Sequence, residues 1–444
     1  MVSEPIAVSG EQARRTRVRL LRAVKEHWRD PLYRNSYFLM GNTLAMSGLG
    51  FVFWLVVART FDPVDVGLGS AVISAMTLLA MVSKLGLDIA LVRHLDEMES
   101  ALDALHFART IFTVAGVAAV GVAVIFLVGL PLWSPELSFL TANWIFAVSF
   151  VGLVFVWNQA SFLDSFLVAK RAAGFVLAKN TLYSLLKIPI PAILLATLGL
   201  RAYGIFASWG IAMFLSLGVM LLFVMRHVHQ GFHLFPAIKR DMLSAMRRYA
   251  SGNYVSGLAL ASVPMIFPLL VVNLRGSSDN AVFYIAWQFA GLLYMVPTAI
   301  GQPLLAEAAR AGGLMGATLI RSVRHALMLV VPGLLILIVA ERRLLSLFGD
   351  HYATQGHSLL LLLAVTALPL SVTNLYLSSL RANKNLRELI ILSSLLAGGA
   401  LGFGAVGLER FGLLGFGIGW LVVQSAAALY ALTRIRSLDR RGTR

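Results

Sequence analysis

Lys187 stands about eleven residues into an apolar segment running over 176–198. At about 1.5 Å per residue this puts its ammonium near the middle of a helix long enough to cross a bilayer. A charge at that depth is costly, and where one occurs it faces a protein interior or a wet cavity. Pro189 and Pro191 follow at once; each removes a backbone hydrogen bond, so a kink beside the charge is predicted. A cation at a bend suits a phosphate or a sugar, or a gate. Pairing with a carboxylate for packing is the simpler alternative.

Other ionisable residues in apolar segments are Lys84, Asp88 and Asp164. Lys84 and Asp88 are four residues apart and share a helix face, which favours a local salt bridge over a coupling-ion carboxylate. Asp164 is expected to pair with Lys170 or Arg171, or to serve as an ion site. Polar and aromatic side chains cluster at Trp157, Asn158 and Gln159, at Trp287 and Gln288, and at Asn374 and Tyr376. Such groups can stack on sugar faces and bond hydroxyls, and they serve equally as glue between helices. Asn42 and Asn253 gain weight from matched places in the two halves of the chain.

What must position these residues follows from composition. Of 444 residues, 58% are hydrophobic and 13% charged, which excludes a water-soluble globular protein. The apolar residues fall into runs that fit twelve spans: 36–58, 67–92, 107–130, 142–168, 176–198, 204–225, 252–273, 281–303, 324–340, 357–380, 387–407 and 413–433. The expected fold is an all-α integral membrane protein of about twelve transmembrane helices in two six-helix lobes around a central cavity. The domains are a basic cytosolic tail (1–35), an N-lobe (36–225), a cytosolic linker (226–251), a C-lobe (252–433) and a basic cytosolic tail (434–444). Each half has an even number of spans, so the repeat is parallel, an arrangement used by transporters. An echo supports it: Gly41-Asn42 recurs as Gly252-Asn253, and Leu55–Arg59 resembles Leu270–Arg275.

The net charge of +16 invites nucleic acid, an anionic surface or an anionic substrate as partner. Most of the 37 basic residues fall in the tails and loops on the side of the N-terminus, so the excess records orientation, with both termini cytoplasmic. The segment Arg14–Arg29 fits the anionic lipids of the inner leaflet. Nucleic-acid binding would need an aromatic platform that the tails lack. A removable signal peptide is not expected. The absence of cysteine excludes disulfides and thiolate sites. Gly402-Phe-Gly404-Ala-Val-Gly407 fits a dinucleotide fingerprint in letters only; in an apolar span it predicts close helix packing, as do Gly415 and Gly419. His227, His229 and His233 read as a solvated loop, and Asp62 and Asp65 as a turn and helix start.

Asn35–Leu95 carries Val66-Gly67-Leu68-Gly69-Ser70-Ala71 and Leu85-Gly86-Leu87-Asp88-Ile89-Ala90-Leu91-Val92-Arg93. This region resembles the N-terminal part of oligosaccharide flippases, the polysaccharide biosynthesis exporters of the multidrug/oligosaccharidyl-lipid/polysaccharide (MOP) superfamily. Ala281–Ala286 is similar to the equivalent opening in the second half. The resemblance implies two lobes that rock around a cavity and move a polyprenyl-diphosphate-linked oligosaccharide to the outer leaflet. Such a flippase belongs in a bacterial cell membrane, in polysaccharide, lipopolysaccharide or O-antigen biosynthesis, alongside assembly proteins. It implies a transporter and not an enzyme, with no catalytic residues, metal or cofactor. Lys187 is then the residue expected on the anionic head, with Lys84 and Arg59 as weaker candidates, and Asp88 and Asp164 as the places for a coupling ion. A multidrug or metabolite exporter is the nearest rival. A general facilitator is disfavoured by Arg93-His94-Leu95-Asp96-Glu97, and a glycosyltransferase or polymerase by the short outer loops, the longest expected at Glu341–Gly356.

Overall fold

A computed structural model describes residues 31–95, 100–224, 252–311 and 315–442. Eleven described helices are long and apolar enough to cross a membrane. The last of them runs through Gly412, whose φ of 63° and ψ of −150° are open to glycine and not to a helical L-residue. It therefore folds as two antiparallel crossings, giving twelve spans among the described residues. Spans one to four are Pro31–Thr60, Pro63–Val82 continued by Leu87–His94, Ala101–Trp133 and Trp144–Ala169. Span five is Ala173–Lys187 continued by Ile190–Leu198, and span six is Ala202–Val219. Spans seven to ten are Gly252–Arg275, Ser277–Ala311, Met315–Ser346 and Asp350–Ala382, and spans eleven and twelve share Leu386–Gly442. With twelve crossings the described ends lie on one face, here the near face; the opposite one is the far face.

Three boundaries differ from the sequence expectation. Span two is not continuous: Leu85 and Gly86 take left-handed φ values of 53° and 74°, which ends the helix at Val82 and restarts it at Leu87. Span nine is not short, since Met315–Ser346 carries 32 helical residues. For the same reason the expected loop Glu341–Gly356 is mostly helix, with span ten restarting at Asp350. Span five breaks where its prolines predict, between Lys187 and Ile190.

Within the N-lobe, spans one and five run parallel at a constant offset of 138 residues. The Asn35 side-chain Oδ1 accepts from the Ala173 N–H at 2.9 Å, that of Asn42 from the Asn180 side-chain amide at 3.0 Å, and the Met46 sulfur from the Ser184 hydroxyl at 3.2 Å. Both lobes contribute to one apolar cluster, joined by Phe51 against Phe289 and Phe348 and by Trp54 against Tyr284. On the far face the lobes meet backbone to backbone. A Cβ on Gly67 would lie 1.7 Å from the Ser277 carbonyl oxygen, and the Asn280 amide donates to the Gly67 carbonyl at 2.7 Å. Asn273 donates to the Ser134 hydroxyl at 2.8 Å.

Candidate functional site

Between the lobes lies a cavity of about 330 Å³. Span one supplies Ser47, Gly50, Phe51 and Trp54, spaced i, i+3, i+4 and i+7, which is one helix face. Span eight supplies Tyr284, Gln288, Gly291 and Met295 from a face of the same kind, and Phe348 closes one end. Lys187 and Trp209 enter from spans five and six.

Lys187 is the last residue before the break in span five and is 3% exposed. Its ammonium lies 4.5 Å from the ring centre of Trp209, 4.8 Å from that of Tyr183 and 5.1 Å from that of Phe53. Trp157 stacks on Trp209 at 5.3 Å and so braces this aromatic cage. Three π faces replace part of the water a buried ammonium loses, each worth about 0.5–2 kcal/mol. No acidic residue lines the cavity, and no ion pair among the described residues uses Lys187. Its charge is thus held by aromatic rings alone and is directed into space that an anion can fill.

Of the residues singled out in the sequence, the cavity brings together Lys187 and Gln288, one from each lobe, with Trp157 behind the cage. The others are placed elsewhere. Asn158 is fully buried, and its amide donates to the Ser83 hydroxyl at 2.8 Å and toward the Ala80 carbonyl at 3.4 Å, filling the break in span two. Gln159 donates to the Phe112 carbonyl at 3.1 Å, joining spans three and four. Asn42 bonds Asn180. Lys84 pairs with Asp88 at 3.5 Å, the local bridge their spacing favours. Asp164 pairs not with Lys170 or Arg171 but with Lys179, at 2.9 Å, because Lys179 projects from span five onto span four. Arg59 donates to the carbonyls of Leu347 and Ser346 on the far face. Asn374 is half-buried in span ten and is not part of the cavity wall. The side chain of Asn253, the linker with His227, His229 and His233, and residues 1–30 lie outside the described residues, whereas the expected C-terminal tail continues the helix of span twelve as far as Gly442.

Sequence reasoning passed over Phe51, Trp54, Tyr284 and Met295, although the i, i+3, i+4, i+7 spacing in span one and the i, i+4, i+7, i+11 spacing in span eight carry them. Gly50 and Gly291 are part of the same signal: a Cβ on either would meet nothing within 4 Å, so these positions leave open space between aromatic side chains. The glycine-rich run in span eleven does what packing predicts. A Cβ on Gly407 would lie 2.2 Å from the Gly415 carbonyl oxygen, and one on Gly419 would lie 2.7 Å from that of Phe403.

Residues 32–308 match the family described as "Polysaccharide biosynthesis protein". Among solved structures, the chain is similar to the lipid II flippase MurJ in an inward closed conformation, with a TM-score of 0.70 and 11% identity over 90% of this chain and 87% of that one. It is similar to an inward-facing multidrug resistance MATE family transporter of the MOP superfamily, with a TM-score of 0.66 and 18% identity over 89% and 95%. A MOP superfamily transporter from Pyrococcus furiosus aligns with a TM-score of 0.55 and 17% identity over 92% and 97%. No curated protein sequence matches. At these identities the structures establish the fold, which is that of MOP transporters.

Proposed function

Because the chain belongs to the polysaccharide biosynthesis protein family, we propose that it is a flippase, moving a polyprenyl-diphosphate-linked oligosaccharide from the inner to the outer leaflet of a bacterial cytoplasmic membrane. The observation that carries this reading is the Lys187 ammonium, buried between the lobes against aromatic rings and without a carboxylate partner among the described residues. Polar sugars and a diphosphate do not cross hydrocarbon unaided. A fixed cation in a shielded cavity lowers that barrier for an anion, and the rings of Trp54, Trp209 and Tyr284 offer stacking faces to sugar. Gln288, on the opposite lobe, supplies both donor and acceptor to hydroxyls. Alternating access follows if the far-face contacts part while the near face closes. The linker and both tails then lie in the cytosol, where anionic lipid and assembly proteins meet them.

A cationic drug as cargo fits less well. At an effective dielectric of about 20, a second positive charge about 5 Å from Lys187 is repelled by about 3 kcal/mol.

The test is flipping of a polyprenyl-diphosphate sugar in proteoliposomes, scored as the fraction of head group open to a membrane-impermeant oxidant. Lys187→Met keeps the side-chain length without the charge and is expected to lower the rate at least tenfold, while Lys187→Arg retains most of it. Wild-type rates in Lys187→Met, with the protein folded, would remove the anion-binding role.

A further inference from the structure

A second cavity, of about 790 Å³, does not lie between the lobes. It is a cleft between spans eleven and twelve, on the outer flank of the C-lobe, and shares no residue with the cavity around Lys187. Its shape follows from the glycines. Near Gly412 the two helices touch through their backbones, at Gly407 with Gly415 and at Phe403 with Gly419. Toward the near face side chains separate them: a Cβ on Gly399 would lie 3.3 Å from the Val423 side chain, and further on Glu388 meets the Arg434 guanidinium at 3.2 Å and accepts from the Tyr430 hydroxyl at 2.9 Å. The helices therefore splay, and the opening is walled by apolar side chains that face the hydrocarbon, Leu395 being 67% and Phe403 58% exposed. From Arg387 to Phe403 the cleft runs about 24 Å at 1.5 Å per residue. One leaflet of hydrocarbon is about half of a 30 Å core, so a whole acyl chain fits.

Charge identifies the occupant. At the mouth of the cleft Glu388 neutralises Arg434. Arg387, exposed on the same rim, has no ion pair or hydrogen bond among the described residues. The mouth thus carries one uncompensated guanidinium at the membrane surface, where lipid phosphates lie. We propose that this cleft holds one anionic phospholipid of the near-face leaflet, an acyl chain between spans eleven and twelve and the phosphate on Arg387. The lipid is not cargo: it sits on one lobe only, away from the interlobe space, and its role would be to brace the splayed ends of the two helices.

The experiment is native mass spectrometry of the full-length protein in detergent, titrated with phosphatidylglycerol and with phosphatidylcholine of the same chains. One tightly held phosphatidylglycerol is expected, and phosphatidylcholine is expected to bind about tenfold more weakly, the value of a charge-assisted hydrogen bond. Arg387→Gln should weaken phosphatidylglycerol by about the same factor, and phosphatidylcholine by less, because its own choline already neutralises the phosphate. Ala426→Trp, at an exposed position of the cleft wall, should displace both lipids. Equal retention of the two lipids by the wild type, or undiminished phosphatidylglycerol on Arg387→Gln, would overturn the proposal. So would displacement of phosphatidylglycerol by polyprenyl phosphate at equal concentration, since the cleft would then be a site for the carrier lipid.

Discussion

Arg59 and Ser346 are 287 positions apart in the chain, and the Arg59 Nη2 donates to the Ser346 carbonyl at 2.7 Å. With the second bond, from Nε to the Leu347 carbonyl at 2.6 Å, the last turn of span one holds the last turn of span nine. A helix end leaves its final carbonyls short of partners, and here the opposite lobe supplies one guanidinium to two of them, the Ser346 carbonyl also accepting from the Gly349 N–H at 3.2 Å. The contact exists only while the far face is closed.

Arg59→Ala is therefore expected to shift the protein toward a far-face-open state. Its two charge-assisted bonds are exposed, so the loss is put at about 1–3 kcal/mol, enough to change the population about tenfold. The chain has no cysteine, so Val64→Cys and Leu347→Cys, exposed on opposite lobes, can be spin-labelled without other changes. Longer and broader distances in Arg59→Ala are predicted, and an unaltered distribution would show that Arg59 does not hold the gate.

Gly67→Ala tests the same closure from the backbone. The added carbon would lie 1.7 Å from a main-chain oxygen of Ser277, and backbone cannot swing aside as a flexible side chain can. The far face must part, so flipping is expected to fall, with the same change in label distances as in Arg59→Ala. Normal transport in Gly67→Ala would mean that the lobes do not need this contact.

Asn158→Ala separates structure from binding. Asn158 spans 75 residues to reach the hydroxyl of Ser83, and its removal takes away a buried hydrogen bond that ties span four to the break of span two, leaving only the bond from Ser83 to the Ala80 carbonyl there, at about 0.5–1.5 kcal/mol. A lower melting temperature with unchanged affinity for the lipid-linked sugar is expected. A large loss of affinity at full stability would return Asn158 to the substrate path.

These examples mark what is legible in the sequence. Apolar run lengths give the twelve spans and basic residues the expected orientation, since both reflect the chain's partition against the bilayer. The depth of Lys187 and the prolines beside it are local, so its place at a break is legible too. Partners are not. Asp164 has Lys170 and Arg171 as neighbours in sequence, yet it bonds Lys179 because the turn after span four returns the chain and lays span five along it. Arg59 reads as a weaker candidate for the anionic head group until span nine ends beside it. The break in span two had one signal, Leu85-Gly86, and only the positive φ of both residues turns that into an interrupted helix.

The Asp164–Lys179 pair also bears on energy coupling. The Lys179 side chain is 1% exposed, and its Nζ lies 2.9 Å from the carboxylate. Asp88 is bridged by Lys84 in the same way. A sodium ion at either carboxylate would have to displace an ammonium already in place, and for Lys179, which is buried while Asp164 is partly exposed, this leaves a lysine charge unpaired. Asp164→Asn should thus destabilise the protein by about 3–5 kcal/mol, and Asp164→Asn with Lys179→Met should recover most of that, because removing both charges leaves none uncompensated. Thermal unfolding of the two variants measures this directly. If the double variant is stable and flips at a rate with the wild type's response to sodium and pH, coupling does not pass through Asp164. A double variant that is stable but has lost a sodium or proton dependence present in the wild type would make the pair the coupling site, with Lys179 as the group the ion displaces.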